Sequence, residues 1–168
     1  MQIRRIKPSD SQKLLDYFIN IVQLDPQRVE RYKDVITLTV QDEIHWIEQR
    51  IKSEQSKEMV VLCCEIENQI VAVGEVERKK RWIERHVGEI RFAVLPAYKK
   101  LAFHLLEKLI EKSKNIEIEV LIYFHLSSQL NGIELVEMFD FAKMGTVPNY
   151  YKLENGTYVN RLYYYKIL

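Results

Sequence analysis

Apolar residues recur along the chain at two spacings, and these spacings predict an alternation of strands and helices. Charged and aliphatic residues alternate over residues 2–7, which predicts a first strand. Apolar residues at helical spacing follow Pro8, and a second helix is expected after Thr39, a residue type that caps helices. The segment between the two helices, residues 27–38, has no clear period and fits a loop or a short helix equally well.

The central third of the chain is rich in aliphatic residues and predicts strands. Apolar runs at 58–67, 70–78 and 87–95 predict three consecutive antiparallel strands. The basic run at 78–81 lies between the second and third of these strands. It is expected to be a solvated turn, because the net charge of the chain is close to zero.

The last third of the chain predicts a helix, a strand, a second helix and a closing hairpin. The first helix is expected at 101–114, and a very apolar strand at 117–126 should lie centrally in a sheet. Two serines after this strand are expected to cap a helix that runs through Phe139. Asn155 and Gly156 then predict a hairpin turn before the final strand.

This order of elements predicts the fold class. It indicates a single α+β domain over residues 1–168, with a mixed, mostly antiparallel sheet of about seven strands and about four helices. The chain is long enough to bury a sizeable core. No repeat, linker or low-complexity segment interrupts the order.

Composition and charge argue against several classes of protein. The net charge of +1 disfavours a nucleic-acid surface, and no apolar run is long enough to span a membrane. The first residues do not resemble a signal peptide. Cys63 and Cys64 lack metal-ligand spacing and are expected to be buried thiols, so no metal is predicted and a reducing cytoplasm fits. Few glycines and many charges are also typical of heat-adapted proteins.

The stretch 87–106 has the strongest chemical pattern in the sequence. It begins as an apolar strand, which Pro96 ends, and it continues as an amphipathic helix from Leu101. The first backbone N–H groups of a helix have no partner within it, and the helix dipole favours negative charge there. Lys99 and Lys100 precede this helix start, where two cations oppose the dipole unless an anion binds. The stretch therefore predicts an anion-binding turn.

The sequence from Arg85 to Tyr98, RHVGEIRFAVLPAY, resembles the fourth strand and following turn of the GNAT superfamily of acetyl-CoA-dependent N-acetyltransferases. The residues HVGEIR are similar to a prokaryotic subgroup of that superfamily, and residues 152–165 are similar to the closing hairpin of the subgroup. The order of elements agrees with the resemblance over nearly the whole chain.

The resemblance implies a fold, a co-substrate and an acceptor. It implies that the fourth and fifth strands splay apart and that the pantetheine arm of acetyl-CoA lies between them. Main-chain groups of Phe92, Ala93 and Val94 would bind this arm. The acceptor would be an amine, carried by a small molecule or by a protein.

The resemblance also assigns the predicted anion-binding turn. In the family, the turn after the Pro-x-Tyr pattern reads Gln/Arg-x-x-Gly-x-Gly/Ala, and its amides bind the pyrophosphate of coenzyme A. The matching positions here are Lys99, Lys100, Leu101, Ala102, Phe103 and His104. Ala102 replaces the first glycine, which helical dihedral angles would tolerate. His104 replaces the second small residue, and its side chain either obstructs the phosphates, turns away, or donates a hydrogen bond to them.

A second departure concerns the acid that protonates the departing thiolate. Members of the family often carry a tyrosine where this sequence has Val136, which cannot donate a proton. Tyr123 and His125 on the preceding strand are candidate substitutes. A strand this apolar also fits a tyrosine that belongs to the core.

Glu89 is the candidate catalytic base, because the resemblance places it on the strand beside the thioester. A carboxylate near an amine can accept its proton, often through water. Strand alternation puts Glu89 on the same face as Arg91, so an ion pair on a solvated face explains it equally well. Glu75 and Glu77 on the neighbouring strand are further candidates.

Two functional hypotheses follow from the resemblance. The first is an enzyme that transfers acetyl from acetyl-CoA to a primary amine by direct attack. The second is an inactive GNAT-fold protein that binds acyl-CoA as a regulator or serves as an interaction module. The changes at Ala102, His104 and Val136 favour this second hypothesis. The tyrosine-rich C-terminal segment fits a homodimer interface, and the ordinary preference of aromatic residues for β-strands explains it nearly as well.

Overall fold

The structure, a computed structural model, describes residues 1–25 and 28–168. Its strands are β1 (Gln2–Arg5), β2 (Met59–Ile66), β3 (Gln69–Arg78), β4 (Val87–Val94), β5 (Val120–Leu126), β6 (Ala142–Lys152) and β7 (Tyr158–Ile167). The α-helices in the described part are α1 (Ser11–Leu24), α2 (Tyr32–Val35), α3 (Val40–Gln55), α4 (Leu101–Asn115) and α5 (Leu130–Met138). Short 3-10 turns occupy Pro8–Asp10, Trp82–Glu84 and Pro96–Tyr98.

The seven strands form one sheet in the order β1-β2-β3-β4-β5-β7-β6. All the described strand pairs are antiparallel except β4 with β5, which is parallel. β5 lies in the interior of the sheet between β4 and β7, as its apolar sequence predicts. The predicted α+β fold class is confirmed, and the short α2 lies in the segment that fitted either a loop or a short helix.

The sheet separates two layers of helices. One face packs against α1, α2 and α3 through a core that includes Ile21, Ile47 and Val61. The other face packs against α4 through a core that includes Leu105 and Leu109, which are fully buried. A gap that passes through the sheet would therefore connect the two helical layers.

The two cysteines show how strand alternation divides the cores. Cys63 lies in the core beneath α1 and α3, and Cys64 lies in the core beneath α4. Both thiols are free and buried, as predicted, and burial raises the pKa of Cys63 to about 12 and that of Cys64 to about 11. Within residues 1–25 and 28–168, no group of His, Cys, Asp or Glu side chains is arranged to hold a metal ion. No helix in those ranges is long and apolar enough to cross a membrane.

The starts of α3 and α5 differ in how they are capped. The Thr39 hydroxyl accepts a hydrogen bond from the Asp42 backbone N–H at 3.3 Å, and the Asp42 carboxylate accepts one from the Thr39 backbone N–H at 2.8 Å. The predicted cap of α3 is therefore confirmed. The prediction for α5 is wrong at its start, because the helix begins at Leu130 and not directly after Ser127 and Ser128.

Arg78 corrects the prediction of a solvated turn at 78–81. Its side chain is buried at the end of β3, with 7% of its surface exposed. The guanidinium donates hydrogen bonds to the backbone carbonyls of Lys57 (3.1 Å), Arg85 and Ile116. The net charge of the chain gave no sign of this arginine, because its partners are carbonyl groups and not acidic side chains.

The tyrosines of the last two strands divide between core and surface. Tyr164 is buried, and its hydroxyl donates to the Glu137 carboxylate at 3.2 Å. Tyr150 and Tyr158 are exposed. The buried member belongs to the core, and a homodimer interface along the exposed members stays a prediction.

Candidate functional site

The pairing between β4 and β5 is short and ends inside the sheet. The paired residues are Val87 with Val120, Gly88 with Leu121, and Glu89 with Ile122. β4 stays paired with β3 as far as Val94, and β5 stays paired with β7 as far as Leu126. A gap therefore opens beyond Glu89 between two strands that each keep their outer neighbour. The predicted splay of the fourth and fifth strands is confirmed.

The main-chain groups of β4 are divided between β3 and this gap. The backbone N–H of Leu95 bonds to the Val71 carbonyl on the β3 side at 2.9 Å. Alternate residues of an antiparallel strand direct their N–H and C=O groups to opposite sides. Phe92 and Val94 consequently direct theirs into the gap. Backbone polar groups in such a place need a partner, so the gap suits a ligand that carries amides.

A cavity of about 580 Å³ occupies the gap and continues towards α1 and α3. It extends from Trp46 on α3 to Tyr123 on β5, a residue of the core on the opposite face of the sheet. Phe92, Ala93 and Val94 all line it, but the main-chain groups of Ala93 face β3, so only those of Phe92 and Val94 face the gap as the resemblance implies for the cofactor arm. The cavity therefore reaches both faces of the sheet and passes between β4 and β5.

Tyr17 connects α1 to the edge of the gap. Its hydroxyl donates a hydrogen bond to the Ala93 carbonyl at 2.8 Å. The side chain is buried, and burial raises the pKa of the phenol, which stays a proton donor. This bond fixes the helix that forms one wall of the cavity against the strand that forms another.

Tyr123 and His125 form a hydrogen-bonded pair at the other wall. The Tyr123 hydroxyl lies 3.0 Å from the His125 Nδ1, and its ring stacks on Phe92 with the centroids 5.5 Å apart. Burial raises the pKa of Tyr123 and lowers that of His125 to about 4, so both groups are neutral near pH 7. The His125 Nε2 is buried as well.

Gly132 and Val136 on α5 complete this wall. A Cβ at Gly132 would clash with the His125 ring, so the absence of a side chain lets α5 pack onto the pair. Val136 is fully buried and belongs to the core beneath α4. The position where the family often has a tyrosine therefore contributes packing here and no proton donor.

Glu89 lies near the gap but outside the lining of the cavity. Its carboxylate pairs with Lys79 at 2.6 Å and with Arg91 at 3.4 Å. Arg91 does line the cavity, and it also pairs with Glu77 at 2.7 Å and Glu75 at 3.6 Å. The structure thus places Arg91 between the three candidate carboxylates and connects Glu89 to the cavity through that side chain.

The predicted pyrophosphate turn lies at the start of α4, where its charged residues are exposed. Lys99 and Lys100 are exposed, and Lys100 has helical dihedral angles. Ala102 lies in the first turn of α4, so this position does not require a glycine. The His104 side chain is exposed, with its ring edge-on to Phe103 and the centroids 5.7 Å apart.

Leu101 and Phe103 contribute packing at this turn. Leu101 packs against the core beneath α4, and the Phe103 ring packs on Phe139 with the centroids 4.6 Å apart. Phosphate binding by these two residues would therefore use their backbone N–H groups.

Sequence reasoning missed the residues that α1 and α3 bring to the cavity. Tyr17, Glu43 and Trp46 line its wall on that side. The only sequence signal was the acidic first turn of α3, which the helix dipole explains without any site. Their function depends on how the two helices pack, and that packing is not visible in a local pattern.

Comparison with known proteins places the fold in a family. The Acetyltransferase (GNAT) family model matches residues 21–141 of the chain. The chain belongs to this family. The matched range includes β4, β5 and the gap between them, whereas Tyr17 on the cavity wall of this GNAT protein precedes it. A comparison with curated protein sequences finds no match.

Solved structures share the fold at low sequence identity. The GNAT acetyltransferase of Streptococcus pneumoniae is 20% identical with a TM-score of 0.88, and 99% of each chain is covered. The ribosomal-protein-alanine N-acetyltransferase of Brucella melitensis is 22% identical with a TM-score of 0.85 over 100% of each chain. YncA of Salmonella typhimurium, solved with its cofactor acetyl-CoA, is 19% identical with a TM-score of 0.82, over 100% of this chain and 94% of that one.

Proposed function

We propose that this GNAT protein transfers the acetyl group of acetyl-CoA to a primary amine by direct attack. The observation that carries the proposal is the gap beyond Glu89, which joins a cavity open to both helical layers. A donor that enters from one side and an acceptor that enters from the other can meet there. YncA, which has the same fold, holds acetyl-CoA, and this supports acetyl-CoA as the donor.

Two parts of the chain are suited to hold the donor. The main-chain groups of Phe92 and Val94 that face the gap complement the amides of a pantetheine arm. The first backbone N–H groups of α4 suit the pyrophosphate, and Lys99 and Lys100 add positive charge there. Both parts act mainly through the backbone, so they tolerate the side-chain changes that this sequence carries.

The chemistry requires a proton acceptor and a proton donor. An ammonium first loses one proton and becomes the nucleophilic amine; its nitrogen then bonds to the carbonyl carbon, the carbon–sulfur bond breaks, the nitrogen loses a second proton, and the thiolate gains one. We assign the first of these protons to Glu89, acting through water because its side chain lies outside the cavity lining. We assign the proton that the thiolate gains to Tyr123, whose phenol lines the gap and recovers a proton from the nitrogen. The thiolate leaving from the gap would then be protonated without a tyrosine at Val136.

The experiment has two measurements on the full chain. Calorimetric titration with acetyl-CoA should show binding, and S-acetylpantetheine, which lacks the pyrophosphate, should bind more weakly. Release of free thiol from acetyl-CoA should rise when a panel of primary amines is added. Failure to bind acetyl-CoA at millimolar concentration would overturn the proposal.

The change at Val136 favours a second candidate function. An inactive GNAT protein would bind acetyl-CoA as a regulatory ligand and would release no thiol with any amine of the panel. Binding without turnover would select this alternative, whereas amine-dependent turnover would reject it.

A further inference from the structure

Most carboxylates that line the cavity already have a partner. Glu30 pairs with Arg28 at 2.9 Å, and Glu75 pairs with Arg50 at 3.3 Å. Asp42 accepts the hydrogen bonds that cap α3. These interactions give each of those groups a structural role in the walls of the cavity.

Glu43, next to Asp42 in the first turn of α3, differs from these groups. Only 8% of its surface is exposed, yet its side chain lines the cavity. Within residues 1–25 and 28–168, its carboxylate has no hydrogen bond and no ion pair. Burial raises its pKa, and the neighbouring Asp42 raises it further. The carboxylate oxygens are not fully enclosed by protein and open onto the cavity, so a cation in the cavity can pair with them.

Apolar side chains line the cavity on the side of α1 and α3. Phe18, Leu38 and Trp46 belong to this lining, and all three pack against the core beneath those helices. Trp46 lies three residues after Glu43 on α3, so the two side chains share a face of the helix. The guanidinium of Arg50 lies 4.8 Å from the centre of the Trp46 ring and holds it from one side. A ligand on this side of the cavity would find the Glu43 carboxylate and the apolar side chains of Phe18, Leu38 and Trp46.

The charge of the whole cavity supports a cationic ligand independently. Its described lining contains five carboxylates, from Asp25, Glu30, Asp42, Glu43 and Glu75. Against them stand three guanidinium groups, from Arg28, Arg50 and Arg91. The negative excess favours entry of a positively charged molecule over a neutral or anionic one.

We propose that Glu43 binds the ammonium group of the acceptor, and that the acceptor is a primary amine attached to an apolar body. The ammonium lies against the Glu43 carboxylate, and the apolar body packs on Phe18, Leu38 and Trp46. This inference rests on the proposed function, since it names the acceptor class for the same cavity. It adds a binding residue that belongs to neither the donor site nor the proton transfers.

The test measures amine binding without turnover. The probe is 2-phenylethylamine, titrated by calorimetry into the full chain, with 2-phenylethanol as the neutral analogue of the same shape. The wild-type protein should bind the amine more tightly than the alcohol. Glu43→Gln should weaken amine binding by about tenfold to a hundredfold, the usual effect of losing a hydrogen bond to a charged group, and should leave alcohol binding unchanged.

Two further variants keep the result interpretable. Glu48→Gln removes an exposed carboxylate of the same helix and should bind the amine as the wild type does. Glu43→Asp keeps the charge and should bind the amine more tightly than Glu43→Gln. Circular dichroism spectra establish that each variant is folded.

The outcomes separate this inference from the proposed function. Equal amine affinity of Glu43→Gln and the wild type overturns the inference, and so does failure of the wild-type protein to bind 2-phenylethylamine at millimolar concentration. Either result leaves the donor site intact if acetyl-CoA still binds. Conversely, amine binding that depends on Glu43 in a protein that does not bind acetyl-CoA overturns the transferase and the acceptor role of Glu43 together, and leaves only an amine-binding site.

Discussion

Glu89 and Arg91 lie two residues apart on β4 and share one face of the sheet, and their ion pair limits how Glu89 can act as a base. Arg91 reaches the cavity, while Glu89 contacts Arg91 and Lys79 behind it. A proton from an amine in the cavity can therefore reach Glu89 only through a bridging water molecule, or directly if the Arg91 side chain moves away. The position of Glu89 fits a catalytic base, and it fits a structural partner of Arg91 equally well. The activity of a Glu89 variant distinguishes these two roles.

Glu89→Gln should lower kcat by about a hundredfold, a typical contribution of general base catalysis, and should leave the affinity for acetyl-CoA unchanged. Steady-state kinetics and calorimetry provide the two measurements. Glu77→Gln is the matched control, because Glu77 also pairs with Arg91 and lies opposite Glu89 in the β3–β4 register. Unchanged turnover in Glu89→Gln would reject the base and leave Glu89 as a partner of Arg91.

Tyr123 is the proposed proton donor to the departing thiolate. Tyr123→Phe keeps the ring that stacks on Phe92 and removes only the hydroxyl that contacts His125. We expect kcat to fall by about tenfold to a hundredfold while the KM for acetyl-CoA stays constant, because general acid catalysis acts on the chemical step.

Tyr164→Phe is the matched control for this prediction. Tyr164 lies opposite Tyr123 in the β5–β7 register, is also buried, and has its hydroxyl on Glu137. Both variants lose a buried hydroxyl, so both should lose stability, but only Tyr123→Phe should lose turnover. Equal kcat values in the two variants would make Tyr123 a residue of the core.

The elements that the sequence predicted well are those whose pattern is local. The start of α3 followed from Thr39 and its acidic first turn, and the strands from β2 to β4 followed from their apolar runs. The gap between β4 and β5 is different, because no local pattern shows that two apolar strands stop pairing. It was expected only through the resemblance of residues 85–98 to a family.

The start of α4 carries two exposed lysines, Lys99 and Lys100, and they yield a prediction about charge. Replacing Lys99 and Lys100 together by alanine should weaken acetyl-CoA binding by about tenfold, since each exposed lysine near a phosphate contributes a modest, salt-sensitive attraction. Calorimetry at low and high salt measures the affinity for acetyl-CoA, and the difference between the variant and the wild type should shrink at high salt. Lys143→Ala, an exposed lysine on β6, should have no effect.

His104→Ala is the contrasting variant of the same element. The His104 ring is exposed and turned towards Phe103, which fits a side chain that leaves the phosphates free. Acetyl-CoA affinity in this variant should equal that of the wild type. Weaker binding would show that His104 contacts the phosphates, and tighter binding would show that it obstructs them.

At the scale of the whole molecule, the candidate site depends on contacts between segments that are far apart in sequence. Among residues 1–25 and 28–168, Glu43 has no partner where α1 and α3 pack together, and Tyr123 reaches the cavity because β4 and β5 separate. Neither observation follows from residue type or spacing. The sequence could therefore predict the proposed donor side, which a single stretch carries, but it could not predict the proposed acceptor side, which two helices and three strands assemble.

The stability of the molecule also depends on contacts between segments that are far apart in sequence, and Arg78 makes several of them. Its guanidinium bonds to carbonyls of Lys57, Arg85 and Ile116, and so connects the start of β2, the link between β3 and β4, and the link between α4 and β5. These three segments lie at the end of the sheet where β4 and β5 are still paired. We infer that Arg78 holds that end together while the opposite end splays.

Arg78→Ala should lower the free energy of unfolding by about 2–4 kcal/mol, because it leaves buried carbonyl groups without their charged donor. Urea denaturation followed by circular dichroism measures the change. Arg81→Ala removes an exposed arginine three residues later and should change the free energy of unfolding by less than about 0.5 kcal/mol. If both variants unfold at the same urea concentration, water replaces the lost bonds and Arg78 does not hold the segments together. If only Arg78→Ala is destabilised, the hydrogen bonds of Arg78 stabilise the end of the sheet at which β4 and β5 are paired.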